Sequence, residues 1–313
     1  MNNFFLETKP ATQVLFESTD HLKLPGLLFE PEKKTDRILL YLHGCGSSDI
    51  FYSGERNQIF AEKLNSTGIS YFPFNNRGAH FIKTLDQQTL EGEIEHTLGT
   101  TFEKIKDCTQ DIDGALNYLM SKGYREFYLY GHSTGANKVV VYNYYKPKNR
   151  IAKYILAGGG DDTGLFYREI GSKEKFLRFL EIAKEKMMKG EGERLVPEEM
   201  AGFWLSYQSF YDICNPNGDY NIFPFYEKAE NLTLANKELF REFKALTKPT
   251  LVIYGELDKF TYPNAQKALE TLKQHKNLNL NSELRFELIK GADHGFSEHL
   301  SELTELVTNW LTE

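Results

Sequence analysis

Short apolar runs recur along the chain: RILLYLH at 37–43, ISYFPFN at 69–75, EFYLYG at 126–131, AKYILAGG at 152–159, PTLVIYGE at 249–256 and LRFELIKG at 284–291. The first is continuous rather than alternating, which is how a strand buried on both faces reads, and the others follow the same style. Pro73 is expected to close the second run. Two earlier stretches, TQVLFEST at 12–19 and LKLPGLLFE at 22–30, read as an antiparallel hairpin.

Helix-period segments fill the gaps. Residues 104–122 place Ile105, Cys108, Ile112, Ala115, Leu116 and Leu119 on one face, and Gly123 supplies a left-handed stop. A second helix is expected over 55–67, closed by Gly68, and a last one from Ser297, with Leu300, Leu303, Val307 and Leu311 in phase. Strand alternating with helix predicts an α/β fold: a mostly parallel sheet with helices on both faces. From 161 to 245 there is no buried-strand signal. Residues 172–189 carry Phe176, Leu180, Ala183 and Met187 at helical spacing before Gly190, and 197–213 predicts another helix. The expected organisation is therefore a core of 1–160 and 246–313 with a helical cap, 161–245, inserted between two strands. Insertions after parallel strands commonly cover the ligand site.

Composition adds limits. Of 313 residues, 41% are hydrophobic and 14% aromatic, enough for a sizeable core. The net charge of −7, with no basic run beyond pairs such as Lys33-Lys34, argues against a nucleic-acid partner. Cys45, Cys108 and Cys214 form no CxxC pattern, which suits a reducing compartment. MNNFFLETKP shows no signal-peptide pattern, and no stretch of about 18 apolar residues occurs. A cytoplasmic protein without a membrane partner is expected.

The chemistry gathers around Gly131-His132-Ser133-Thr134-Gly135, placed between the EFYLYG strand and the helix ANKVVVYNYYK. A chain turning that sharply strains its apex residue, and side chains two positions either side would collide, hence glycine. The turn exposes the Ser133 hydroxyl at a helix N-terminus. A serine needs a base and the base an orienting acid, in the chain order Ser, acid, His for this topology. Asp258, after PTLVIYGE, is the candidate acid. His294, after LRFELIKG, is the candidate base. Glu256 is the alternative acid and His299 the alternative base, while Asp293 reads as a turn residue. Oxyanion donors are expected from the backbone N–H of Thr134 and of Cys45, in the glycine-lined loop His43-Gly44-Cys45-Gly46.

These residues resemble the α/β-hydrolase superfamily. The matching segments are LYLHGCG, FPFNNRG, LYGHSTG, LVIYGELD and KGADHGF, in the family's order and spanning nearly the whole chain. More narrowly, GTTFEKIKDCTQDIDGALNYL followed by GHSTG resembles a poorly characterised branch that includes fungal siderophore-esterase-like proteins. The resemblance implies Ser133, Asp258 and His294 as a triad and Cys45 and Thr134 as oxyanion donors. It also implies a structural role for Arg77, tying loops together.

Other motifs carry less. Gly158-Gly159-Gly160 has neither phosphate-loop spacing, and the eight histidines show no HExxH, so no cofactor or metal is expected. Asp161-Asp162 fits a helix cap better than a site for a cationic group. The cap's aromatics, including Phe203, Trp204 and Tyr207, suggest an apolar wall with hydroxyls; exposed, they would equally serve as a homodimer surface. The expected activity is hydrolysis of a small-molecule carboxylic ester, less so of an amide or thioester. Acyl transfer, peptide cleavage, or ligand binding without turnover are the alternatives.

Overall fold

The computed structural model describes residues 10–276 and 283–313; residues 1–9, read above for a leader pattern, lie outside them. β1 (Thr12–Glu17) and β2 (Lys23–Leu28) pair as the antiparallel hairpin anticipated from their sequence. Next along the chain are β3 (Arg37–Leu42), α1 (Gly54–Ser66) and β4 (Ser70–Phe74). A separate antiparallel ribbon, β5 (Lys83–Thr89) and β6 (Gly92–Leu98), precedes α2 (Cys108–Ser121). Then come β7 (Glu126–His132), α3 (Thr134–Tyr145) and β8 (Ile151–Ala157). Between β8 and the next strand run α4 (Asp162–Ile170), α5 (Lys173–Met188), α6 (Tyr207–Cys214), α7 (Phe225–Ala229) and α8 (Arg241–Lys244). The chain ends with β9 (Thr250–Gly255), α9 (Ala265–Gln274), β10 (Leu284–Ile289) and α10 (Leu300–Thr312).

The main sheet has the order β1-β2-β4-β3-β7-β8-β9-β10. It is parallel from β4 to β10, with β1 and β2 antiparallel at one edge. The period of two splits each central strand between two cores. Ile38, Leu40 and Leu42 of β3 face α2 and α3, whereas Leu39 and Tyr41 face α1 and α10. Burying such a side chain contributes about 1.5–3 kcal/mol. β10 alternates Leu284, Arg285, Phe286, Glu287 because it is an edge strand, only half-buried over most of its length.

Three expectations change. β4 continues past Pro73 to Phe74; on that side β2 meets it only at Gly26↔Phe74, so the missing N–H costs little. The helix read over 197–213 is confined to Tyr207–Cys214. A turn closes from Met200 N–H to the Pro197 carbonyl, Leu195 bridges Ser206, and the Ser206 hydroxyl caps the shortened helix by accepting from Ser209 N–H. The β5–β6 ribbon was not anticipated. Its residues are mostly polar and half-buried or exposed, with Leu85 and Leu98 resting on the core, so no hydrophobic period marks it, and Gly92 (φ 125°) makes its turn.

A buried ion pair joins these elements under the sheet's C-terminal edge. Lys138, on α3, meets Glu103 at 2.5 Å and donates to Asn76 Oδ1 at 3.0 Å. Both charged side chains are almost fully buried. Glu103→Gln leaves the Lys138 ammonium without its counter-charge, and a loss of about 3 kcal/mol is expected from urea unfolding, as for other half-broken buried pairs. The double substitution Glu103→Gln/Lys138→Met should restore part of that loss. Arg77 acts nearby as a tie between loops: its guanidinium donates to Asp111 Oδ1 at 2.7 and 2.9 Å and to Asp20 Oδ1 at 2.8 Å.

Candidate active site

Ser133 sits between β7 and α3 with φ 57° and ψ −129°, a backbone conformation uncommon for a residue with a side chain. The turn is held by Ser133 N–H donating to the Ala157 carbonyl and Ala136 N–H to the Ser133 carbonyl, both at 2.8 Å. The flanking glycines are sterically required. A Cβ on Gly131 would lie 2.1 Å from the Gly135 carbonyl oxygen, and one on Gly135 would lie 2.2 Å from that of Leu42. The first of these is the collision between positions two before and two after the serine that the motif implies.

His294 and Asp258 meet on the neighbouring loops after β10 and β9. His294 Nδ1 lies 2.8 Å from Asp258 Oδ2, and Asp258 Oδ1 accepts from Phe260 N–H at 2.9 Å. The Asp258 side chain is fully buried, the His294 ring mostly so. Gly158 leaves room for the pair: a Cβ there would stand 3.2 Å from both Asp258 Oδ2 and the imidazole. That is the physical use of the first glycine in the 158–160 run. Of the alternatives, the Glu256 carboxylate is turned to Gly291 N–H at 2.8 Å, and Asp293 caps a turn by accepting from Ser297 N–H and hydroxyl. His299 stands just before α10. None of the three lines the cavity at Ser133.

His132, inside the motif, was not singled out from sequence. It lies 5.0 Å from the His294 ring, centroid to centroid, and its Nε2 faces the His294 carbonyl at 2.8 Å. Burial and the nearby His294 push its pKa down to about 3. It is therefore neutral at pH 7, and the carbonyl partner requires an Nε2–H tautomer. His132 thus pins the loop that carries His294 to the elbow.

The loop after β3 lies against the serine. A Cβ on Gly44 would approach Ser133 Cβ to 2.7 Å and Oγ to 3.0 Å, so the backbone leading into Cys45 passes beside the hydroxyl. Gly46 N–H is anchored to Thr100 Oγ1 at 2.8 Å, and Thr100 in turn donates to the Gly78 carbonyl at 2.9 Å. Among the described residues the Cys45 N–H has no hydrogen-bond acceptor. Thr134 opens α3, so its N–H belongs to the first turn, whose donors lack intrahelical partners.

Ser133, Thr134, Cys45 and His294 all line one cavity of about 450 Å³. Its walls include Phe166, Phe203 and Phe260, with Asp162 and Glu169. Cys45 is open to this space on one side, but the protein around it, and secondarily the Asp162 carboxylate, push its thiol up to about 12. Iodoacetamide at pH 8 should therefore leave Cys45 largely unmodified over an hour, read by intact mass; rapid single alkylation would contradict this. A second cavity of about 450 Å³, between α2 and the end of α3, is lined by Tyr142, Tyr145 and Lys146 and includes none of the five residues proposed from sequence. Chemistry, not size, selects the first.

Asp161 and Asp162 part company in the structure. Asp161 caps α4, accepting from Gly164 N–H at 2.8 Å and also from Tyr226 N–H at 2.7 Å. Asp162 faces the cavity. Among the described residues no cluster of His, Cys, Asp and Glu suits a metal ion, and no helix is long and apolar enough to cross a membrane.

Comparison with solved structures shows the same fold. GrgF, an alpha/beta hydrolase from Penicillium sp. sh18, aligns with TM-score 0.63 at 16% identity, over 96% of this chain and 98% of that one. Est1E from Butyrivibrio proteoclasticus, with ferulic acid bound, aligns with TM-score 0.60 at 15% identity over 96% and 98%. The Pyrococcus furiosus esterase Pf2001 aligns with TM-score 0.57 at 15% identity over 97% and 90%. No curated protein is detectably similar in sequence. A family model described as protein of unknown function (DUF1749) matches residues 97–312, which contain Ser133, Asp258 and His294. With its α/β-hydrolase fold and a match over most of its length, the chain belongs to this DUF1749 family.

Proposed function

We propose that the protein is a serine hydrolase that cleaves a carboxylic ester of a small molecule. One observation carries this reading: a strained serine elbow and a histidine oriented by a buried aspartate line the same cavity. In the proposed cycle His294 Nε2 takes the Ser133 proton as Oγ adds to the ester carbonyl. The oxyanion forms between the N–H groups of Cys45 and Thr134. His294 returns the proton to the leaving alcohol as the C–O bond breaks, giving an acyl-enzyme. Water, deprotonated by the same imidazole, then releases the acid and regenerates Ser133.

The 161–245 segment fits the role of a cap, since α4 and Phe203 form one wall of the cavity. The aromatic walls favour aryl or acyl esters; ferulate esters belong in a substrate panel because Est1E holds ferulic acid. The test is covalent labelling by a fluorophosphonate, read by intact mass, and then hydrolysis of that panel. A single adduct at Ser133 is expected. Folded protein that takes no adduct and hydrolyses nothing would defeat this reading and favour ligand binding without turnover.

A further inference from the structure

The wall that α4 presents to the cavity has a chemical pattern. Asp162, Leu165, Phe166 and Glu169 all line it, at spacings i, i+3, i+4 and i+7, so a single helical face meets the ligand space. That face reads acid, apolar, aromatic, acid. Phe203 joins Phe166, their rings 5.9 Å apart, and Phe260 lies 4.4 Å from the His294 ring.

Asp162 is the deeper of the two acids. Its Oδ2 receives one hydrogen bond, from Asn137 Nδ2 at 3.2 Å, and Asn137 is itself held by the Gly160 carbonyl at 3.0 Å. Its Oδ1 lies 3.7 Å from where a Cβ on Gly160 would stand, a point equally 3.7 Å from Phe260 Cβ. The carboxylate is therefore set beside the residues that surround the base. Among the described residues neither Asp162 nor Glu169 pairs with a cation. The cavity's own cation, Arg56, is already engaged, with Asp49 at 2.6 Å and stacked 4.4 Å over the Tyr41 ring. The charge left facing the ligand space is negative, and Phe166, Phe203 and Phe260 line the same space. An unpaired carboxylate near aromatic rings is the chemistry that stabilises an ammonium group. The α4 cap does not require Asp162, because Asp161 already supplies it.

We propose that Asp162 determines specificity by binding an ammonium group on the substrate, so that the enzyme prefers cationic esters to neutral ones of the same shape. This rests on the reading of the cavity as an ester-hydrolysing site. Burial holds the Asp162 carboxyl up to about 6, against the charge of His294, so it is ionised at pH 7.5.

The experiment compares kcat/KM at pH 7.5 for two matched pairs. In the first the charge is in the alcohol: a choline ester against its 3,3-dimethylbutyl isostere. In the second it is in the acyl part: ethyl 4-(trimethylammonio)butanoate against its neutral isostere ethyl 5,5-dimethylhexanoate. The cationic-to-neutral ratio of at least one pair should fall tenfold or more in Asp162→Asn. A ratio unchanged within twofold in both pairs overturns the proposal. Should Asp162→Asn not fold, the wild-type protein still decides. Phenethylammonium should slow fluorophosphonate labelling at concentrations at least tenfold below phenethyl alcohol, and equal protection by the two rejects the ammonium site. Labelling also separates the two failures: wild type that takes no adduct removes the hydrolase reading itself, whereas labelled protein without charge preference removes only Asp162's role.

Discussion

Ser133→Ala is expected to lower kcat/KM for any ester the protein turns over by about 10³–10⁶, the range found when a triad nucleophile is lost while oxyanion donors remain. The substituted protein should stay folded. The serine hydroxyl makes no hydrogen bond within the described residues, so its removal orphans no buried partner. The elbow is fixed by backbone bonds from Ser133 N–H to Ala157 and from Ala136 N–H to Ser133, which alanine keeps. The positive φ of 57° costs alanine about what it costs serine. The melting temperature should therefore move by only a few degrees while turnover falls by that factor and fluorophosphonate labelling is lost. Turnover retained within tenfold would show that Ser133 is not the nucleophile.

Asp258→Asn should cost about 10³–10⁴ in kcat, through the geometry around the carboxylate. Its two oxygens face two donors: Oδ2 the Nδ1–H of His294, and Oδ1 the backbone N–H of Phe260. An asparagine amide has one acceptor oxygen. If that oxygen stays on Phe260 N–H, the amide NH₂ meets Nδ1 and forces the proton to Nε2, the atom that must accept from Ser133. If the amide flips, its NH₂ confronts Phe260 N–H inside a fully buried site, an unpaired contact that costs about 1–3 kcal/mol. Either arrangement disables the base or loosens its loop. KM should change far less than kcat, because Asp258 does not line the cavity. An equal loss in Glu256→Gln, with Asp258→Asn near wild type, would transfer the acid's role to Glu256.

Much of this architecture is legible in the sequence alone. Strands buried on both faces announce themselves by continuous apolar runs, and β3, β4, β7, β8 and β9 are all found that way. The GHSTG turn is legible because its glycines answer a local steric demand, visible as contacts of 2.1 and 2.2 Å that no side chain tolerates. Asp258 and His294 can be proposed from sequence because each comes just after a readable strand, and chain order suggests their parts.

The rest depends on neighbours remote in the chain. The β5–β6 ribbon rests on the core through Leu85 and Leu98, too few to leave a period, and 197–206 stays out of a helix because Leu195 and Ser206 bridge and Ser206 caps the shorter α6. Lys138 looks like a surface lysine in ANKVVV until Glu103 and Asn76 close around it. His132 gains its task only when β10's loop lays the His294 carbonyl on its Nε2. Asp161 and Asp162 are adjacent and chemically identical, and sequence reads them as a pair. Helix α4 turns one to its own N-terminus and the other into the cavity. The chain by itself determined the strand order along the chain and the serine turn on which the proposed chemistry rests, because strand burial and turn sterics are local. Only the tertiary structure decided which charges are already paired and which still face a ligand, because pairing depends on residues brought from elsewhere in the chain.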